Sequence, residues 1–308
     1  MQLLIRHQTV YYYGAGSSRA TMLLRLRPRS NAAQAVQDWQ VSVNGDPIMT
    51  FTPNGYGDLE ALWVSHERMD AITIVAQGTV NTVDTHGVLS GLDERANSGL
   101  FLRETPLTRP TEALRTFVAD VDGGNDVLSG LHALTHAIVN EVPYRAGATN
   151  ADTSAGEAFA MGGGVCQDHA QIFITGARLL GVPARYVTGY LLAHEGDNPL
   201  HETHAWAEAL VPGLGWIGFD ASNQMCVTDH YVRIACGLDA FDAAPVRGLV
   251  TAAGDISIDA DVRIAQASDD EGERQLQRQQ QQHGPAGEPE GAAGVRNGAV
   301  GDMGAGGR

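Results

Sequence analysis

From residue 2 to about residue 85 the chain alternates between apolar and polar positions. Leu3–Tyr13, Thr21–Arg27, Val36–Val43, Leu59–Val64 and Ala71–Val75 are short runs rich in β-branched, aromatic or alternating apolar residues. Turn clusters such as Gly14-Ala15-Gly16-Ser17, Asn44-Gly45-Asp46-Pro47 and Pro53-Asn54-Gly55 separate them. A period of two at this spacing predicts an antiparallel sandwich or barrel, with no helix before Thr111. The period then changes. Thr111–Asp120 reads as a short helix capped by Thr111. Asp126–Glu141 reads as a longer one, with Val127, Leu131, Leu134, Ile138 and Val142 on one stripe and Asn125 or Asp126 as cap. Pro143 ends it. The small, polar stretch 145–164 predicts a loop.

A third helix is expected from about Cys166, with Ala170, Phe173, Ala177 and Leu180 on one face and Gly181 and Pro183 as its stop. Three strands follow: Ala184–Leu192, His201–Val211 and Trp216–Ala221, the last two joined at Pro212-Gly213-Leu214-Gly215. The stretch 194–201 reads as a loop near this hairpin. Residues up to about Ala265 are expected to add a helix or an edge strand. From Ser268 the chain turns to Gln, Gly, Ala and Glu, too poor in bulky apolar groups to offset its ordering entropy, and a disordered tail is predicted. The predicted organisation is a β-rich part over 1–105, a mixed part over 106–267 and the tail over 268–308.

Composition narrows the partners. Of 308 residues, 36 are acidic and 20 basic, a net charge of −16, so neither nucleic acid nor an anionic membrane surface is an expected partner. Every basic residue other than histidine is Arg, which removes a lysine Schiff base and a P-loop lysine from consideration. No apolar run reaches 18 residues. Met1–Tyr13 carries Arg6 and His7 within its alternation and does not read as a signal peptide. Three cysteines without an export signal predict a reducing, cytoplasmic setting.

The candidate chemistry starts at Cys166, which follows three glycines and opens an amphipathic helix. A helix N-terminus favours an anion, and a thiolate is the reactive form of cysteine. Downstream, His204, Trp206, Glu208 and Leu210 share one face of their strand, as do Trp216, Gly218 and Asp220 on the next. An odd-length connection sets Asp220 opposite Trp206 and diagonal to His204; an even one turns it away unless a bulge intervenes. Cysteine nucleophile, histidine base and aspartate orienter is the logic of acyl transfer through a thioester. The individual alternatives are a buried structural cysteine, a satisfied histidine and a turn carboxylate. Metal chemistry is not expected. His201 and His204 are three apart on a strand, Cys226, His230 and Cys236 fit no common zinc spacing, and no EF-hand loop is present.

Gly164-Val165-Cys166-Gln167-Asp168-His169-Ala170, Gly181-Val182-Pro183-Ala184-Arg185-Tyr186-Val187-Thr188-Gly189-Tyr190, Thr203-His204-Ala205-Trp206-Ala207-Glu208 and Gly215-Trp216-Ile217-Gly218-Phe219-Asp220 together resemble the transglutaminase-like superfamily of papain-like thiol enzymes, over about residues 124–224. Leu24-Arg25-Leu26-Arg27-Pro28-Arg29 looks like the β-rich domain that precedes the core in bacterial members. The resemblance implies an α+β fold, in which a helix carrying Cys packs on an antiparallel sheet carrying His and Asp, preceded by an all-β sandwich-like domain. It implies Cys166 as nucleophile, His204 as general base and acid, and Asp220 as orienter, with no cofactor. For the oxyanion it implies the Cys166 backbone N–H plus an upstream side chain, for which Tyr144 is the candidate; Trp206 would shield the His–Asp pair. Asp168, in the first helical turn, is explained by the helix dipole alone. Ala221-Ser222 departs from the usual Pro-Thr. The implied substrate is a peptide or protein amide, with hydrolysis favoured over transamidation because bacterial members of this arrangement are viewed as protease-like. The rival is a non-catalytic binding or scaffold module of the same fold.

Overall fold

The computed structural model describes residues 1–124, 126–193, 203–252 and 254–267. The first 90 residues form strands β1 (Gln2–Arg27), β2 (Gln34–Val43), β3 (Asp46–Pro47), β4 (Thr52–Pro53), β5 (Leu59–Ser65), β6 (Met69–Thr82) and β7 (Val88–Leu89). One 3-10 turn, Ser98–Leu102, leads towards helices α1 (Glu112–Asp120), α2 (Val127–Glu141), α3 (Ala155–Met161) and α4 (Cys166–Leu179). Strands β8 (Ala184–Leu191), β9 (His204–Val211), β10 (Gly215–Asp220), β11 (Met225–Cys226), β12 (Tyr231–Gly237), β13 (Val246–Ala252) and β14 (Ile256–Gln266) complete the described chain. The class is α+β, as the sequence predicts.

Two antiparallel sheets result. The first runs β3-β2-β6-β1-β5-β4, with β13 and β14 both paired to β1. The second runs β11-β10-β9-β8-β12, with β7 against β10. Where two strands are expected, Leu3–Tyr13 and Thr21–Arg27, there is one strand of 26 residues. Its register with β6 and β13 shifts around Ser17, so the glycine cluster bends the strand without ending it. The first half pairs with β6 and β14, the second with β5 and β13.

The division at residue 105 and the assignment of everything to 267 to the second part do not follow the hydrogen bonding. Strands β13 and β14 return to the N-terminal sheet, and Val88–Leu89 joins the second sheet. The edge-strand alternative for the region before Ala265 is the one realised. The tail expected over 268–308 and the loop expected at 194–201 lie outside the described residues.

The core explains the order of layers. Helices α1 to α4 bury Leu114, Leu131, Leu134, Ile138, Ile172, Phe173 and Ala177 against Ala205, Ala207 and Ala209 of β9 and Ile217 and Phe219 of β10. Phe173 stacks on Phe219 at 5.1 Å; removing such a ring costs about 3–5 kcal/mol. A second cluster joins Leu3, Ile5, Trp39 and Ile72 of the N-terminal sheet to Tyr190, Val232, Ile234 and Ala235 of β8 and β12. The second sheet is thus buried by the helices on one side and by the N-terminal sheet at its β8–β12 end. Helix α3 lies in the stretch read as loop. It has only seven residues and no apolar period, but Ser154 and Glu157 form a reciprocal capping box at its start.

Candidate active site

Helix α4 begins at Cys166, and Val165 is its N-cap. Asp168 fixes this start: its Oδ2 accepts the Val165 N–H at 2.8 Å and the Thr149 hydroxyl at 2.6 Å. Its role therefore exceeds the dipole, since it ties the glycine run, the helix and the loop at Thr149 together. His169 is also fixed, with Nε2 against the Val142 carbonyl and Nδ1 against the Ser222 hydroxyl, both at 2.8 Å. Burial outweighs those contacts and lowers its affinity for a proton. Ser222, one of the two departures from the family pattern, thus links the end of β10 to the Cys166 helix.

The β9–β10 hairpin closes with three residues, Pro212-Gly213-Leu214, between Val211 and Gly215, which pair with one another. The odd connection that the chemistry demands is present. Phe219 pairs with Ala207, so Asp220 falls opposite Trp206 and diagonal to His204. His204 Nε2 donates to Asp220 Oδ2 at 2.6 Å. Cys166 lies close enough to act on the same imidazole and raise its proton affinity, and with Nε2 engaged by Asp220, Nδ1 is the nitrogen left for it. Cys166 is 9% exposed, His204 5% and Asp220 fully buried. Cys166, His204 and Asp220, predicted from separate motifs, are brought together.

Electrostatics favour a charged imidazole. Burial lowers the His204 pKa, but the hydrogen bonds and charges of Asp220 and Cys166 more than reverse this and raise it to about 10. Burial would raise that of Asp220, yet His204, Asn223 and Tyr231 hold it below the usual carboxylate range. Asn223 donates from its side chain to Oδ2 at 2.7 Å and from its backbone to Oδ1 at 3.2 Å, and the Tyr231 hydroxyl donates to Oδ2 at 2.8 Å. Neither residue was a candidate from sequence. Asn223, three residues after Asp220, carries a turn signal; Tyr231 sits on a later strand and leaves none.

Trp206 is buried, stacks against His204 with centroids 6.3 Å apart, and meets Tyr231 edge-on at 5.5 Å. Gly189, paired with His204 across β8 and β9, makes room for it: a Cβ there would stand 2.3 Å from the indole ring. Tyr144 is 53% exposed; its backbone forms a parallel bridge with Gly164 and its ring lies edge-on to His169 at 6.3 Å. Its neighbourhood is that of the Cys166 loop.

Farther along the same face of β9 lies a second buried cluster. Glu208 accepts Arg185 Nε at 2.5 Å and Arg233 Nε at 2.8 Å, and Arg233 Nη1 reaches Asp58 of the N-terminal sheet region at 2.5 Å. Cys236 is fully buried and Cys226 half-buried, and no group of three or more His, Cys, Asp or Glu with metal-binding geometry occurs among the described residues. No described helix is long and apolar enough to cross a membrane.

Residues 115–221 match the model of the transglutaminase-like superfamily, and residues 3–81 that of the bacterial transglutaminase-like N-terminal region. This chain carries a transglutaminase-like core. An uncharacterized protein of Mycobacterium leprae is 26% identical over 278 residues, spanning 85% of this chain and 98% of that one. One from Mycobacterium tuberculosis H37Rv is 26% identical over 271 residues, 80% of this chain and 86% of the other. The crystal structure of a candidate cysteine protease from Cytophaga hutchinsonii superposes with a TM-score of 0.70 at 25% identity, covering 88% of this chain and 92% of that one. In this transglutaminase-like chain the matched core holds Cys166, His204 and Asp220, while the N-terminal region supplies Asp58.

Proposed function

We propose that this protein is a cysteine-dependent amide hydrolase, a protease or amidase, that works through a thioester on Cys166 with His204 and Asp220. One observation carries the reading: His204 is bound to Asp220 at 2.6 Å while the Cys166 thiol, at a helix N-terminus, lies within reach of the same ring. The similarity to a candidate cysteine protease of Cytophaga hutchinsonii agrees with it.

The chemistry follows from the charge states. With its proton affinity raised, His204 stays an imidazolium at neutral pH, and the thiolate is the form in which Cys166 would react. The thiolate attacks the amide carbonyl, and backbone N–H groups at the start of α4 hold the oxyanion. Collapse of this intermediate expels the amine, which takes the proton from His204 and leaves a thioester. Water then attacks, giving a proton to His204, and the acid leaves as the thiolate and imidazolium are restored. Asp220 keeps the imidazole oriented throughout and stabilises it whenever it carries the proton. An amine replacing water in the second half would make the reaction a transamidation. Tyr144 and Trp206 take supporting roles, Tyr144 beside the Cys166 loop and Trp206 over the His204 ring.

The test is the rate at which iodoacetamide modifies Cys166, followed by mass on the Cys166 peptide between pH 4 and 10. The wild type is expected to react fast well below pH 7, and His204→Ala to lose this. A rate that rises with an ordinary thiol titration near pH 8.5 in both proteins would exclude the pair. Peptide screening completes the test: Cys166→Ala that retains full amide cleavage would sink the mechanism.

A further inference from the structure

The segment that precedes Cys166 is covered by a cation. Residues Pro143–Arg145 run parallel to the glycine strip: the Arg145 N–H donates to the Gly164 carbonyl at 2.7 Å, and the Gly164 N–H to the Pro143 carbonyl at 3.3 Å. The Arg145 side chain then folds across Gly163. A Cβ at Gly163 would stand 2.9 Å from Arg145 Cδ and 3.2 Å from its Nε and Nη1. The absent side chain is what lets the arginine stem lie against the strip, which puts its guanidinium over Gly163.

That guanidinium is uncommitted. Among the described residues Arg145 forms no ion pair and no side-chain hydrogen bond, although it is exposed in a chain with 36 acidic groups against 20 arginines. The arginines deeper in the core are otherwise employed: Arg178 on the carbonyls of Phe101, Ala184 and Leu238, Arg185 and Arg233 on Glu208. Gly163 and Cys166 are three residues apart, at most about 10 Å of chain. A group one or two residues from the amide under attack would span that distance.

We propose that Arg145 is the specificity determinant of the Cys166 site and binds a carboxylate carried by the substrate within one or two residues of the reacting amide. The proposal rests on the amide-directed reading of Cys166. A guanidinium offers a planar fork of N–H donors that a carboxylate fills with two parallel bonds, and both partners gain geometry as well as charge attraction. The carboxylate can be an Asp or Glu side chain or a peptide C-terminus. An acidic protein that repels acidic peptides elsewhere on its surface would admit them here, at its thiol.

The experiment compares two alkylating agents that differ in charge. Iodoacetate carries a carboxylate and iodoacetamide does not, so the ratio of their rates at Cys166 reads the cationic field above the thiol, whatever the thiol's own reactivity. Mutating Arg145→Gln should lower this ratio about three- to tenfold at low salt, and Arg145→Lys should restore part of it. At about 0.5 M NaCl the difference between wild type and Arg145→Gln should shrink. A ratio that is the same in wild type and Arg145→Gln overturns the proposal, while an ordinary pH profile for iodoacetamide would instead overturn the mechanism. Protection of wild-type Cys166 from iodoacetamide separates the sources. An N-acetylated Gln-Glu peptide with an amidated C-terminus protecting best assigns a side-chain carboxylate. N-acetylated Gln-Ala with a free C-terminus protecting best assigns the terminal one. No advantage of either over neutral N-acetylated Gln-Ala amide also overturns it.

Discussion

Two buried charge clusters occupy one face of β9 four residues apart, and they are built on opposite plans. At the start of the strand, His204 stands between Asp220 and the thiol of Cys166. Farther on, Glu208 is held by Arg185 and Arg233, and Arg233 reaches Asp58. Both carboxylates are fully buried, and in both the cost of burial is offset by cationic partners. The difference is in the cation. Guanidinium keeps its protons at any ordinary pH, so the Glu208 cluster can hold chain segments together but cannot hand over a proton. Imidazole can, and its second nitrogen is left facing a nucleophile. The Glu208 cluster also has a brace: the Arg185 guanidinium lies 3.9 Å above the Trp216 ring and 5.5 Å from that of Phe101. Gln34 of β2 bonds both the N–H and the C=O of Arg233, so this cluster joins the N-terminal sheet to the second sheet. One strand therefore carries a reactive end and a clamped end.

The division of labour fails if the two carboxylates exchange effects, and Asp220→Asn is the strongest test. The amide keeps a polar atom beside His204 but removes the charge that favours the imidazolium. Amide cleavage should fall roughly a thousandfold or more, with iodoacetamide reactivity at pH 6 falling in parallel. The thermal midpoint should move far less than in a Glu208 variant. A stability loss larger than that of Glu208→Gln would mean that Asp220 is the clamp.

Glu208→Gln should act the other way. It leaves two buried guanidinium groups around a neutral amide, with only Asp58 as a remaining counter-charge. Removing one partner of such a buried pair costs about 3–5 kcal/mol, which urea unfolding would read directly. Where the variant remains folded, the pH profile of Cys166 alkylation should keep its wild-type shape. A profile shifted as in Asp220→Asn would show that Glu208 tunes the thiol.

The reactive end was far more legible in the sequence than the clamped one. Cys166 shows as a helix start after three glycines, and the motifs put His204 and Asp220 on successive strands; the join read from sequence, Pro212–Gly215, leaves the parity open, and the pairing of Gly215 with Val211 is what makes it odd. Those relations are local, or span one hairpin. Tyr231 and Asn223 complete the Asp220 site, but the tyrosine comes from β12, beyond the reach of any hairpin rule. The clamp draws Asp58, Arg185, Glu208 and Arg233 from four separated segments. In the sequence Glu208 is one more polar residue at an alternating position. The same limit explains the differences of organisation. A 26-residue strand bent at Ser17 carries glycines that read as a turn. Strands β13 and β14 have the exposed, weakly patterned face of edge strands, which says nothing about the sheet that will receive them. Alternation predicts an element; its partner is decided by contacts across the chain.

The subtlest separation of the two clusters is in pH. His204 has its folded-state pKa raised from 6.5 to about 10, so its charge pairing contributes fully below pH 6.5 and is lost as pH rises through about 10. Asp220 is lowered from 3.8, so its part is present above pH 3.8 and is lost only as pH falls through that lower folded value. The margin by which wild type exceeds Asp220→Asn in stability should therefore be greatest between about pH 4 and 6.5 and should close towards pH 10. The effect is the smallest of the three because burial of His204 already opposes its charge and returns part of the gain. For Glu208 the partners do not release protons in that range, so the margin over Glu208→Gln should stay level from about pH 5 to 10. Midpoints of urea unfolding for the three proteins, measured at unit steps of pH, decide it. Two margins that fall together above pH 7 would mean that the clusters titrate as one, and that the clamped end of β9 feels the proton on His204.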